Sequence, residues 1–173
     1  MFSNELEQLV RHMEWADALV WTSVLQQGKA DSDPHIKKSL HHIHQVQWAY
    51  LQIWRGEPLA MLDLPSFQDL RAIHRWCQEY YGQLPDFLDH LDSEALDEQI
   101  TLSWADELVK QWGKAHPATL ADTILQITSH TTYHRGQVNR RLRELGGDPP
   151  LTDFVVWIWR GKPTPEWYAV NAA

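Results

Sequence analysis

Residues 119–150 read TLADTILQITSHTTYHRGQVNRRLRELGGDPP, and the fold turns on how this stretch is understood. Thr119 and Asp122 form a capping pair at its start. Ile124, Ile127, Thr131, His134, Val138 and Leu142 then recur every three or four positions, the period of a helix with one buried face. Gly146 and Gly147 end the pattern, and Pro149 with Pro150 forbids its continuation. The stretch therefore predicts one long amphipathic helix.

The same period recurs upstream. Leu6, Leu9, Met13, Ala16, Val20 and Val24 mark a first helix over about residues 4–27, with Gly28 as its stop. Asp33 caps a second helix whose first position is Pro34, where a missing N–H does no harm. Leu40, Ile43, Tyr50 and Trp54 mark its stripe, which ends at Gly56 and Pro58. Ser66 with Asp69 reads as the cap of a third helix carrying Phe67, Leu70, Ile73, Cys77 and Tyr80, with Pro85 expected to kink or interrupt it near its end. Periodicity fades over residues 92–117, which predicts an irregular excursion with a short strand pair. Phe154 to Trp159 is expected to pack back as a fifth short helix or a lid. Four main helices with one period throughout imply an all-α four-helix bundle, read as a single domain over residues 1–173.

Composition limits the function. The chain has 173 residues, 43% of them hydrophobic, enough for one compact core. Lys and Arg number 15 against 23 Asp and Glu, and a net charge of −8 repels phosphate backbones, so no nucleic-acid partner is expected. Cys77 is the only cysteine, which leaves no internal disulfide and fits a reducing cytoplasm; it reads as a buried apolar residue. The start Met1, Phe2, Ser3, Asn4, Glu5 lacks the basic flank and apolar stretch of a secretory leader. The longest apolar run, Val155 to Trp159, falls far short of the roughly 20 residues of a membrane span. The expectation is a soluble cytoplasmic protein without a membrane partner. Its ten tryptophans, Trp112 among them, read as large core anchors with a few free for a pocket or a subunit contact.

Chemistry points to the histidines. His130 and His134 stand four apart, so on a helix they share a face and can share a metal ion. With Thr131 at the centre of the buried stripe, His134 lies about 60° and His130 about 100° to one side. Two ligands need a third from another helix, and that arrangement leaves coordination positions open, as catalytic metal sites do. The second helix offers His42 and His44, about 100° to either side of Ile43, and geometry does not choose between them. His41 is expected to point outward alongside Trp48, and His12 of the first helix is a distant alternative. Gly136 in mid-helix suggests a close helix approach, Gln137 a partner that fixes an imidazole tautomer, and Arg135 pairing with an acidic neighbour. No Glu-x-x-His, HExxH, phosphate-binding glycine loop, cysteine pair or haem-attachment motif occurs.

Taken together these motifs resemble a known family. The HxxxHRGQ run, the Gly-Gly and proline pair after it and Asp153 beyond resemble the closing helix of DinB-like proteins. Met13, Glu14, Trp15, Ala16 and Asp17 are similar to that family's signature on its first helix. His42 followed by Ile43, with Tyr50 eight and Gly56 fourteen positions on, matches the second helix and selects His42 over His44. The resemblance implies an up-down-down-up bundle in which His42, His130 and His134 bind a divalent metal, often in a homodimer. Histidine ligands accommodate zinc or nickel first, with iron, cobalt or manganese as other choices. The resemblance also implies a small-molecule substrate and transfer of a low-molecular-weight thiol such as bacillithiol, mycothiol or glutathione to an electrophile, or a related hydrolase or maleylpyruvate-type isomerase. No catalytic side chain is named; the expected nucleophile is a metal-bound water or thiolate, because three neutral imidazoles leave the ion its full charge. The alternative is a non-catalytic, stress-linked binder of metal or a small ligand. Gln47 stands where many relatives have an acidic residue, and residues 92–117 match no part of the pattern.

Overall fold

The computed structural model describes residues 4–111 and 113–169. Met1 to Ser3, read above for a leader, and Trp112 lie outside the described residues. Among the described residues seven α-helices follow in order: α1 (Asn4–Gln26), α2 (Gly28–Asp31), α3 (Pro34–Trp54), α4 (Leu70–Asp89), α5 (Ala105–Val109), α6 (Leu120–Glu144) and α7 (Phe154–Trp159). Gly28 does not simply end the first helix. It opens the single turn α2, whose Ala30 is buried, after Gln27 has left helical geometry.

The caps show which local signals act. The Asp33 carboxylate accepts from the backbone N–H of His35 and Ile36, with Pro34 in the first turn as expected. Thr119 and Asp122 form the complete reciprocal capping box at α6. At α4 the expected cap is displaced. Asp69, not Ser66, accepts from Ala72 N–H, while Ser66 belongs to a 3₁₀ turn and Phe67 precedes the helix, although its ring is still buried. Pro85 does not interrupt α4, which runs on to Asp89: Leu84 is buried beside it, and Phe87 and Leu88 pack on the core and hold the last turn.

Cross-helix bonds give the topology. Asp17 meets Gln47 and Trp21 meets His44, so α1 and α3 run antiparallel. Lys37 reaches Phe67 and Arg55 reaches Gln83, so α3 and α4 run parallel. Asp33 pairs with Arg141 while Trp54 bonds Thr123, so α3 and α6 run antiparallel. The order is up-down-down-up, an all-α bundle with α6 against both α1 and α3. The expected strand pair forms, but only β1 (Gln99–Ile100) lies within residues 92–117; β2 (Ala118–Thr119) follows just beyond, antiparallel with Gln99 opposite Thr119. This pair anchors the first turn of α6, and Trp104 packs edge-on against Tyr50 of α3.

The core is apolar and aromatic. Met13, Val20, Trp21, Ile36, Ile43, Leu70, Ile73, Tyr80, Ile124 and Leu142 fill it from all four long helices. Trp15, Trp21, Trp76 and Trp157 are buried, whereas Trp159 stands exposed at the end of α7. Trp157 packs with Trp15 and Ala16, so the apolar segment after the double proline closes back on α1 as a helix. Among the described residues, no helix is long and apolar enough to cross a membrane.

Candidate metal centre

Two helices supply the cluster. α3 contributes His42, and α6, running antiparallel beside it, contributes His130 and His134 one turn apart. Each offers one ring nitrogen, and the three nitrogens lie within 4.8 Å of one another. His42 Nε2 is 3.2 Å from His130 Nε2, close to the separation of about 3.4 Å expected for two nitrogens on one tetrahedral zinc. The His42 and His134 rings are edge to face with centroids 4.6 Å apart, and those of His130 and His134 are 4.3 Å apart. All three are half-buried, so the cluster faces solvent on one side.

The electrostatics disfavour a charge on His42 and His130. Burial lowers the pKa of His42, and His134, His41 and Lys38 lower it further. Burial pushes His130 down to about 4, with His134 and His42 acting in the same direction. Neutral imidazoles present lone pairs, the form a metal requires. Gln137 Oε1 accepts from His134 Nδ1–H at 2.9 Å, which leaves Nε2 as the lone-pair nitrogen. The three-histidine cluster is thus suited to a divalent ion, and its donor set fits one.

The other histidines are committed elsewhere. His44 is fully buried: its Nδ1–H donates to Gln47 Oε1 at 2.7 Å, and its Nε2 accepts from Trp21 Nε1–H at 2.9 Å. His41 does not point outward. It is buried and stacks on Trp76, with Nε2 2.8 Å from the Leu62 carbonyl, because the chain after α3 folds back along this side of the helix. His12 Nε2 lies 2.8 Å from the Thr152 carbonyl and helps seat the segment before α7. Cys77 is buried as expected, and burial pushes its thiol well above the ordinary range. An added Cβ at Gly136 would meet nothing within 4 Å, so no close helix approach explains that glycine.

Behind the cluster lies a polar network less apparent from the sequence. Arg135 Nη1 donates to Asp17 Oδ1 at 2.8 Å, and both side chains are almost fully buried, 2% and 4% exposed. Asp17 Oδ2 also accepts from the Tyr81 hydroxyl at 2.6 Å and from Gln47 Nε2 at 3.0 Å. Gln47 Nε2 has Tyr81 and Thr131 oxygens near it as well, at 3.1 and 3.3 Å, so its two hydrogens serve three acceptors. The network joins all four long helices, and its Thr131 and Arg135 stand next to His130 and His134 in the chain. The signal was a charged Arg135 and a polar Gln47 at buried positions of their stripes, since Gln47 follows Ile43 by four and Arg135 follows Thr131 by four. A buried charge requires a partner.

On the α1 side of α6 lies a cleft of about 650 Å³ lined by Leu9, Met13, Ser129, Thr132, Tyr133 and Phe154, among others. The Tyr133 ring borders it and stands edge-on to His134 at 5.0 Å. No curated protein matches the chain. Residues 1–164 match the model of the DinB family, and with this helix order and histidine cluster the chain belongs to the DinB family.

Proposed function

We propose that His42, His130 and His134 hold one divalent ion, zinc or nickel in preference to iron, cobalt or manganese, and that the protein uses it to transfer a low-molecular-weight thiol to an electrophile. The observation that carries this reading is the approach of three histidine ring nitrogens, from sites 88 residues apart in sequence, to within 4.8 Å. A divalent ion held by neutral imidazoles keeps its full charge and, acting as a Lewis acid, lowers the pKa of a thiol or a water.

The chain's own residues supply position and space. Gln137 orients the His134 ring, and the Asp17–Arg135 pair fixes α6 against α1. The cleft on the α1 side of α6 has the volume typical of small-molecule sites, and the Tyr133 ring, edge-on to His134, connects it to the cluster. Exposed Val155, Ile158 and Trp159 on α7 offer apolar side chains for the homodimer the family suggests. A cytoplasmic location, with its pool of reduced thiols, belongs to the same proposal.

The test compares chelated protein with zinc- and nickel-loaded protein in conjugation of glutathione, bacillithiol and mycothiol to a fluorogenic bimane. Loaded protein accelerates the reaction and His130→Ala abolishes the acceleration. Equal rates with and without metal across the panel would refute transfer and favour the second reading, a metal or ligand carrier without turnover. That second reading draws support from the groups acting on His42 and His130, which among the described residues include no carboxylate.

A further inference from the structure

The charge around the three histidines runs against that of the chain as a whole, which carries 23 acidic and 15 basic side chains. Elsewhere in the bundle, His12 and His44 each feel the negative charge of Asp17. At His42 the acting groups are His134, His41 and Lys38, and at His130 they are His134 and His42. Lys38 is the permanent cation of this set.

Its position follows from the helix. Lys38 precedes His42 by four residues on α3, so the two side chains leave the same face with Cβ atoms about 6 Å apart. Lys38 is exposed, and among the described residues its ammonium makes no hydrogen bond or salt bridge. The neighbouring cations are occupied: Lys37 Nζ donates to the Phe67 and Gln68 carbonyls, and Arg141 is held by Asp33 and Glu144. Beside a divalent ion retaining its charge, a free ammonium one turn away makes a two-point receptor for an anion. One point takes the reacting atom and the other a second negative group.

We infer that Lys38 is a specificity-determining residue that pairs with a carboxylate on the substrate, at the end away from the atom that reacts at the three histidines. This rests on the metal-centre reading above. The ammonium stem and one helical turn set the span, so the carboxylate stands a few bonds from the reacting sulfur. A thiol acid fits this description, and a neutral thiol of the same length leaves Lys38 unpaired.

The test uses full-length cobalt-loaded protein and two probes of matched length, 3-mercaptopropionate and 3-mercapto-1-propanol. Dissociation constants are read from the sulfur-to-cobalt charge-transfer absorption. For Lys38→Gln, the preference for the acid over the alcohol falls about three- to fivefold, as expected for an ion pair near a solvent-exposed surface. The affinity for the alcohol stays the same, which shows the centre is intact. Lys38→Arg keeps the preference, Lys38→Glu lowers it further, and raising the salt erodes the part of the preference that Lys38→Gln lacks. Lys110→Gln serves as the control with the same loss of charge. Lys110 follows α5 in the excursion whose Trp104 packs on Tyr50, about 18 Å along α3 from Lys38, and this variant leaves the ratio unchanged. Thiols that bind with a ratio indifferent to Lys38→Gln and Lys38→Glu overturn the role of Lys38 alone. Protein that takes up no cobalt, or whose cobalt binds neither thiol, overturns this inference together with the metal reading beneath it.

Discussion

Replacing Arg135 by methionine keeps much of the side-chain volume and removes the cation that neutralises Asp17. In the native protein the Asp17 carboxylate accepts from Arg135 at 2.8 Å, Tyr81 at 2.6 Å and Gln47 at 3.0 Å, with both charged side chains almost wholly out of water. After the substitution two neutral donors remain, too few to repay the desolvation of a full charge. Breaking a buried pair from one side costs about 3–5 kcal/mol, whereas replacing both charges is far milder. A domain of this size is stable by about 5–15 kcal/mol, so the single variant loses a large fraction of its stability. At about 2–4 °C per kcal/mol, its melting temperature falls by roughly 6–20 °C. The assay is urea unfolding at pH 7 followed by far-UV circular dichroism, for Arg135→Met, Asp17→Asn and the double variant. The double variant should lose less than the two singles added together, with a coupling of about 1–3 kcal/mol. Two singles that each cost under about 1 kcal/mol and add without coupling would show that the pair is solvated, and the network argument would fail.

His74 gives a pH signature: it is fully buried, neither ring nitrogen has a partner among the described residues, and burial lowers its pKa to about 4. The unfolded chain takes up the proton near pH 6.5, so the folded state loses stability as pH falls from about 6.5 toward 4, by at most about 3 kcal/mol, and the loss levels off below 4. His74→Leu should reduce the slope of that part of the stability curve without weakening the protein at pH 7, and an unchanged slope in calorimetry would refute the assignment. Gly136→Ala should stabilise α6 by about 0.5–1 kcal/mol, since the added methyl enters open space in mid-helix, and a lower urea midpoint would contradict this.

The long helices were legible because each carried several agreeing signals. Asp33 with Pro34 fixed the start of α3, and Thr119 with Asp122 that of α6, each backed by an apolar stripe many residues long. The start of α4 was less legible because Ser66 and Asp69 are both competent caps, and only packing of Phe67 outside the helix separates them. His41 was misread because an angular position on α3 says nothing of the returning segment that covers it with the Leu62 carbonyl. His130 and His134 were visible as a helical pair, but His42 and His44 lie symmetrically about Ile43. Family likeness favoured His42, and the structure shows why His44 is unavailable, since Gln47 and Trp21 occupy both its nitrogens. The Asp17–Arg135 pair spans 118 residues, a contact that local periodicity cannot reveal.

The most direct measurement is metal content of untagged protein, dialysed and analysed by inductively coupled plasma mass spectrometry, for the parent chain and for His42→Ala, His130→Ala and His134→Ala. The account predicts one equivalent of a divalent transition metal per chain in the parent and its loss in each variant while the helical circular dichroism signal persists. Folded parent protein that takes up no metal, or variants that retain a full equivalent, would contradict it.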